Sequence, residues 1–226
     1  NPVSPLPLER EERVGADAAL LEAKLGPLSR ASLVYAPAPE RGSPSRAVQW
    51  HGNAAGVDAS LVAGRLLGLD IVGVDVASQI GDLGVRAEAT RLDPRGGPGF
   101  NRWMAGADYA FASGLTLSAE LYYNGAGSKN PGGYDFTGLR AGRVTSLGKR
   151  YAGLFASYEI TPLLKWTTYG VLNADDRSRA VDSRLVWSIG PATDLIFGVQ
   201  LFTGSTGSEF AASPNAVQVQ LQWFFR

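Results

Sequence analysis

The sequence predicts an all-β chain, an antiparallel up-and-down meander of about thirteen strands of the transmembrane β-barrel kind, and three observations carry that reading. Apolar and polar residues alternate with period two along segment after segment, a pattern that sorts onto the two faces of a strand and scatters around a helix. The segments run to about ten residues, the length a tilted strand needs to cross a bilayer core. Tight turns alternate with mostly longer links, and aromatic residues gather near segment ends.

The amino-terminal half carries strands at 16–25, 30–38, 45–54, 57–67, 69–79 and 84–93, the clearest being Val72, Val74 and Val76 against Asp75 and Gln79. Beyond these, the segment 100–111 sets Trp103, Ala105, Ala107, Tyr109 and Phe111 against Arg102 and Asp108. In 115–126, Leu115, Leu117, Ala119, Leu121 and Tyr123 oppose Thr116, Ser118, Glu120 and Asn124. In 150–160, Leu154, Ala156, Tyr158 and Ile160 oppose Ser157 and Glu159, and in 163–174, Leu164, Trp166 and Leu172 oppose Lys165, Thr167 and Asn173. In 179–189, Val181, Leu185, Trp187 and Ile189 oppose Asp182, Arg184 and Ser188, and in 194–204, Leu195, Phe197, Val199 and Leu201 oppose Asp194 and Gln200. The last strand is the cleanest: Val219, Leu221 and Trp223 lie on one face, and Gln218, Gln220 and Gln222 on the other.

Turn chemistry punctuates the strands at Gly26-Pro27, Asn53-Ala54-Ala55-Gly56, Gly81-Asp82, Ala112-Ser113-Gly114, Thr161-Pro162 and Gly190-Pro191. Between them lie links at 39–44, 94–99, 127–149, 175–178 and 205–214, with a short exception near Gly68. Short turns at one end and longer loops at the other is the layout of an outer-membrane barrel, its long loops facing outward. The aromatics Trp50, Trp103, Phe111, Tyr122, Tyr123, Trp166, Trp187, Trp223, Phe224 and Phe225 fit interfacial belts.

Composition narrows the function classes. With 21 basic and 21 acidic side chains, the chain lacks the cationic surplus that nucleic acid demands. It has no cysteine, which excludes disulfides, thiolate metal sites and cysteine nucleophiles. His51 is the single histidine, so neither a zinc site nor a Ser-His-Asp triad is supported, and a polar position near a periplasmic turn is its expected role. Asp175-Asp176 lacks the further ligands a calcium site requires. Gly125 to Lys129 lacks P-loop spacing, and the Val-rich stretch at 71–76 lacks a dinucleotide fingerprint. No enzyme, metal or cofactor is expected.

Residues 100–225 resemble the carboxy-terminal strands of Gram-negative porin-like outer-membrane proteins. The residues that carry the resemblance are Gly106-Ala107-Asp108-Tyr109 before the Ala-Ser-Gly turn, Ala119-Glu120-Leu121-Tyr122-Tyr123-Asn124-Gly125, and the closing Val217 to Phe225. In that group a terminal aromatic residue resembles the signal read by the insertion machinery; here Arg226 follows Phe225, a departure from the strict form. The resemblance implies the bacterial outer membrane and a transport role, and leaves the solute open.

The polar faces supply the candidate lumen: Glu22, Lys24, Asp58, Asp75, Arg86, Glu88, Arg102, Asp108, Glu120, Glu159, Lys165, Asp182, Arg184 and Asp194. Mixed charge of this kind tunes selectivity in a hydrated channel, and it also fits paired charges in a plugged interior. The 127–149 link holds Lys129, Arg140, Arg143 and Lys149 against Asp135. Folded into the lumen it is a basic constriction; left outside it is a solvated segment. The expected function is passive diffusion of small polar solutes. Two alternatives stand beside it: a barrel sheathing a partner such as an electron-transfer protein, and a soluble β-sandwich binding module.

Two domain-level expectations follow. The Pro-rich, charged segment 1–15 reads as an extracellular loop and 16–226 as barrel strands. An odd strand count leaves an incomplete barrel, because barrels of this class have even numbers. The missing strands are expected from upstream sequence or another chain, since an open edge in lipid leaves unsatisfied amides.

Overall fold

The computed structural model describes residues 17–38, 43–66, 68–140 and 144–225. Segment 1–15, read above as an extracellular loop, lies outside the described residues.

Thirteen strands follow the chain in one hydrogen-bonded order from β1 to β13, each antiparallel to the next where the register is given. They are β1 (Ala19–Gly26), β2 (Ser29–Ala36), β3 (Ser45–Ala54), β4 (Val57–Leu66), β5 (Leu69–Ile80), β6 (Leu83–Pro94) and β7 (Phe100–Ala110). The series continues with β8 (Leu115–Asn124), β9 (Arg150–Thr161), β10 (Leu164–Asn173), β11 (Arg179–Gly190), β12 (Thr193–Thr203) and β13 (Ala216–Trp223). All thirteen segments read from the two-residue period are strands, with ends shifted by a few residues at most. The short link near Gly68 is a true turn, with Leu66 opposite Leu69. The β3–β4 turn places Ala55 and Gly56 at φ 52° and 78°. Positive φ at both central residues matches the right-handed strand twist, which is why a glycine sits there. Three short helical pieces were not legible as such in the links: 3₁₀ turns at Pro131–Gly133 and Phe210–Ala212, and α1 (Phe136–Arg140).

The strands fall into two compact units, one comprising 17–105 with 123–126, the other 106–122 with 127–225. In the first unit the apolar face carries Leu33, Val48, Leu61, Val72, Val74 and Val76, all exposed. In the second it carries Leu121, Leu154, Trp187, Phe197, Val219, Leu221 and Trp223, exposed as well. A β-sandwich would bury that face against a second sheet. Within each unit it is bare. Leu117, Leu185 and Leu195 share the apolar face and are half-buried. Register fixes the opposite face with equal clarity, because a one-residue slip would exchange the two.

Candidate functional site: the polar face and its loop cover

In the first unit, the strand registers align six residues in one row across six strands: Lys24, Arg30, His51, Ser60, Asp75 and Glu88. The cations occupy one end and the carboxylates the other. Ser60 Oγ donates to Asp75 Oδ1 at 3.1 Å and lies 3.1 Å from His51 Nδ1. With the single hydroxyl proton given to Asp75, the remaining bond requires a proton on His51 Nδ1, which Ser60 accepts. Ser60 is 4% exposed, so this bridge between the two halves is shielded. The order also excludes a nucleophilic triad: serine sits between the acid and the imidazole, whereas catalysis needs the imidazole in the middle as base.

Beside this row, Glu22 accepts from Ser32 Oγ at 3.4 Å and pairs with Arg30 Nε at 3.5 Å. Asn53 Nδ2 donates to Asp58 Oδ1 at 2.9 Å, and Arg86 stands opposite Ala77 on the same face. Arg102 Nε reaches Asn124 Oδ1 at 3.4 Å, and Asn124 is fully buried. Sequence reading named Lys24, Asp75 and Glu88 and gave His51 a polar role, but missed Arg30 and Ser60. Only the register, which brings each opposite the next, identifies them.

In the second unit, Glu159 stands opposite Lys165 on the polar face. Asp182 accepts from Arg184 Nε at 3.2 Å and from Gln200 Nε2 at 2.8 Å, and Asp194 accepts from Ser188 Oγ at 2.8 Å. Glu120 lies against Gly153 on the same face, and Asp108, on β7, makes a polar interaction of its own. At the loop end this face is covered. Tyr151, Ala180 and Phe210 are buried together, with Tyr122, Val171 and Phe202 packed against them. Phe210 comes from the 204–215 link and the other five from the polar sides of β8 to β12, so the link folds over the polar face.

A buried carboxylate ties that cover down. Glu209 is 7% exposed; its Oε1 accepts from the Leu147 amide at 2.9 Å, and its Oε2 from Tyr151 Oη at 2.7 Å and Asn173 Nδ2 at 2.8 Å. Tyr151 Oη in turn accepts from the Gly148 amide, and Asn173 Nδ2 also donates to Tyr134 Oη at 3.0 Å. The links 125–149 and 204–215 thus meet β9 and β10 at one acid. The Glu209 amide donates to Asp176 Oδ2 at 2.8 Å, and Asp175 Oδ2 accepts from the Lys149 and Arg150 amides at 2.6 and 2.9 Å. The close approach needs glycine at 148: a Cβ there would lie 2.6 Å from Asn173 Nδ2.

Burial raises the Glu209 carboxyl above its usual range, against the hydrogen bonds from Tyr151, Leu147 and Asn173, with Asp176 adding to the rise. For Asp175, burial works upward too, but the Arg150 side chain and the two amides outweigh it and hold the group low. Tyr134 is raised, chiefly by burial. Of the basic residues in the 125–149 link, Lys129 and Arg140 are exposed, and Lys149 is held through its amide. Arg143 lies outside the described residues. Among the described residues no cluster of three or more metal-ligating side chains occurs, and Asp175 and Asp176 are both engaged by backbone amides.

No protein-family profile matches the sequence, and no curated protein matches it. Solved structures do. The chain is similar to OccK10 (OpdN) of Pseudomonas aeruginosa, with a TM-score of 0.62 and 13% identity over 93% of this chain and 73% of that one. Similar too are a loop-L8 deletion mutant of OmpT, an outer membrane protein of Vibrio cholerae (TM-score 0.47, 9% identity, 84% and 85% covered), and a triple mutant of Rh. blastica porin (TM-score 0.45, 12% identity, 92% and 89% covered). The likeness to the Pseudomonas aeruginosa protein, joined to the thirteen-strand antiparallel meander, shows a porin-like outer-membrane β-barrel fold.

Proposed function

We propose that this chain forms channel wall in a bacterial outer membrane and serves passive diffusion of small polar solutes. The observation that carries the proposal is the division of each unit into a bare apolar face and a polar face rich in both signs of charge. Lipid solvates the first; water and solute solvate the second. The row from Lys24 to Glu88 gives the solute path a cationic and an anionic flank, an arrangement that orients dipolar solutes and sorts ions. The loop cover over β8 to β12 narrows the outer mouth, with Lys129 and Arg140 contributing positive charge. In this reading the polar-face residues named from sequence line the lumen, and strands from upstream sequence or another chain pair the free edges of β1 and β13, since unpaired backbone groups are costly in lipid.

The test is ion selectivity in planar bilayers. Asp75→Asn with Glu88→Gln removes the anionic flank, and cation preference should fall relative to the unaltered protein. Unchanged selectivity would reject these residues as channel lining. Steady conductance that stops only when a soluble protein partner is added would favour the sheath alternative.

A further inference from the structure

The apolar face of the first unit is uncharged along most of each strand and then ends in a charged row. Across β2 to β6 the register reads Tyr35, Arg46, Arg65, Asp70 and Asp93. Two residues along, the row Leu33, Val48, Ala63 and Val72 begins the apolar band and ends on β6 at Arg91. The charged row lies at the strand ends that meet the links 37–44, 67–68 and 95–99, opposite the tight turns.

Its charge pattern is unbalanced. Arg46 stands directly opposite Arg65, and Asp70 directly opposite Asp93. Like charges paired across strands oppose each other, so such a row persists where something compensates it. The acids are compensated from within: Arg65 Nε and Nη2 donate to Asp70 at 2.8 and 2.6 Å, and Arg91 Nε and Nη2 donate to Asp93 at 3.0 and 2.7 Å. Arg95, from the 95–99 link, and Arg46 also act on Asp70 electrostatically. Among the described residues four guanidinium groups, of Arg46, Arg65, Arg91 and Arg95, therefore share two carboxylates, and the excess is positive.

We infer that this row is a binding site for the phosphate headgroup of an anionic membrane lipid, an inference that rests on the membrane reading above. Arg46 contributes to that excess, and a planar guanidinium matches phosphate with two parallel hydrogen bonds. The rest of the ligand is specified by what lies beside the charge. Leu33, Val48 and Val72, at 47%, 56% and 63% exposed, stand two residues away, roughly 7 Å along the strand. A phosphate at the arginines thus places hydrocarbon against the apolar band. That pairing of anion and chain describes an amphiphile and not a free anion. The Tyr35 ring at the end of the same row, 49% exposed, has the amphipathic character of a headgroup-zone side chain.

The experiment uses the full chain, solubilised in a nonionic detergent and titrated with phosphatidic acid or with phosphatidylcholine of the same acyl chains, bound lipid being read by native mass spectrometry. Phosphatidic acid should bind roughly tenfold more tightly than phosphatidylcholine. Arg46→Ala should bring the two lipids close to parity. The charge-neutral pair Arg65→Ala with Asp70→Ala should weaken binding less, and inorganic phosphate in excess should not displace the lipid. Preserved preference in Arg46→Ala would overturn the site, and displacement by inorganic phosphate would show a simple anion site in place of a lipid site. Heat-modifiable migration confirms that each variant is folded. Conductance in bilayers separates the two readings: a protein that inserts and conducts yet shows no lipid preference refutes this inference alone, whereas failure to insert refutes the channel.

Discussion

Replacing Glu209 should release the loop cover while leaving the strands intact. The carboxylate accepts three hydrogen bonds from three different places: the Leu147 amide, the Tyr151 hydroxyl and the Asn173 amide group. Glu209→Ala removes the acceptor that the three share. A buried unsatisfied donor costs about 1–3 kcal/mol. Asn173 keeps its bond to Tyr134, so the loss falls on the Leu147 amide and on the Tyr151 hydroxyl, whose oxygen still accepts from the Gly148 amide. The expected loss of local stability is therefore about 3 kcal/mol, which raises the open population of the cover on the order of hundredfold. Glu209→Gln retains one carbonyl oxygen for Leu147 but offers an NH₂ group to Tyr151 and Asn173, and should fall between the two. Hydrogen exchange at the Leu147 amide, with limited proteolysis of 125–149 and 204–215, reads the effect directly. The strand ladders do not pass through Glu209, so heat-modifiable migration should persist. Exchange at Leu147 within about twofold of the unaltered protein in Glu209→Ala would refute the argument that this acid holds the cover.

Other perturbations follow from the same geometry. Leu154, 54% exposed near the middle of β9, should tolerate Phe but lose about 2–4 kcal/mol on replacement by Arg, measured by reversible folding into lipid vesicles; a negligible loss would mean that this face does not meet lipid. Gly148→Ala brings a methyl carbon against Asn173 and should speed proteolysis of the 125–149 link, with cleavage mapped by mass spectrometry. The pH dependence has two limbs of opposite sign. Glu209 is raised in the folded protein, so the stability linked to its protonated form is present below its unfolded pKa and lost as pH rises through the folded one. Asp175 is lowered, so its contribution is present above its unfolded pKa and lost as pH falls through the folded one. Exchange of the cover amides should be slowest between these limits, and Glu209→Gln should flatten the upper limb.

The strands were legible because their signal is local. A strand in lipid must alternate for its whole length, and Val217 to Trp223 or Leu115 to Tyr123 states the pattern without help from distant residues. The turn at Gly68 was legible for a similar reason: a two-residue connection needs positive φ, and Gly68 adopts φ 86°. The polar row was only half legible. Arg30 and Ser60 look like ordinary strand residues until pairing places them between Lys24 and Asp75. Glu209 was not legible at all. It lies in a link with no periodicity, and its partners Leu147, Tyr151 and Asn173 are between 36 and 62 residues away in sequence. Asp175 drew attention as a weak metal ligand, whereas its carboxylate accepts from the Lys149 and Arg150 amides. Loop chemistry of this sort depends on tertiary approach, which no short-range pattern encodes.

Single-channel recording in planar bilayers decides whether the polar face lines a conducting pore. The complete barrel, this chain together with the strands that pair its edges, folded as judged by heat-modifiable migration, is added to a bilayer under an applied voltage, and reversal potentials are measured across a salt gradient. An open channel lined by the polar face gives discrete, steady conductance steps whose ion preference shifts when Asp75 and Glu88 are neutralised. Folded protein that inserts into the bilayer and passes no current would contradict it.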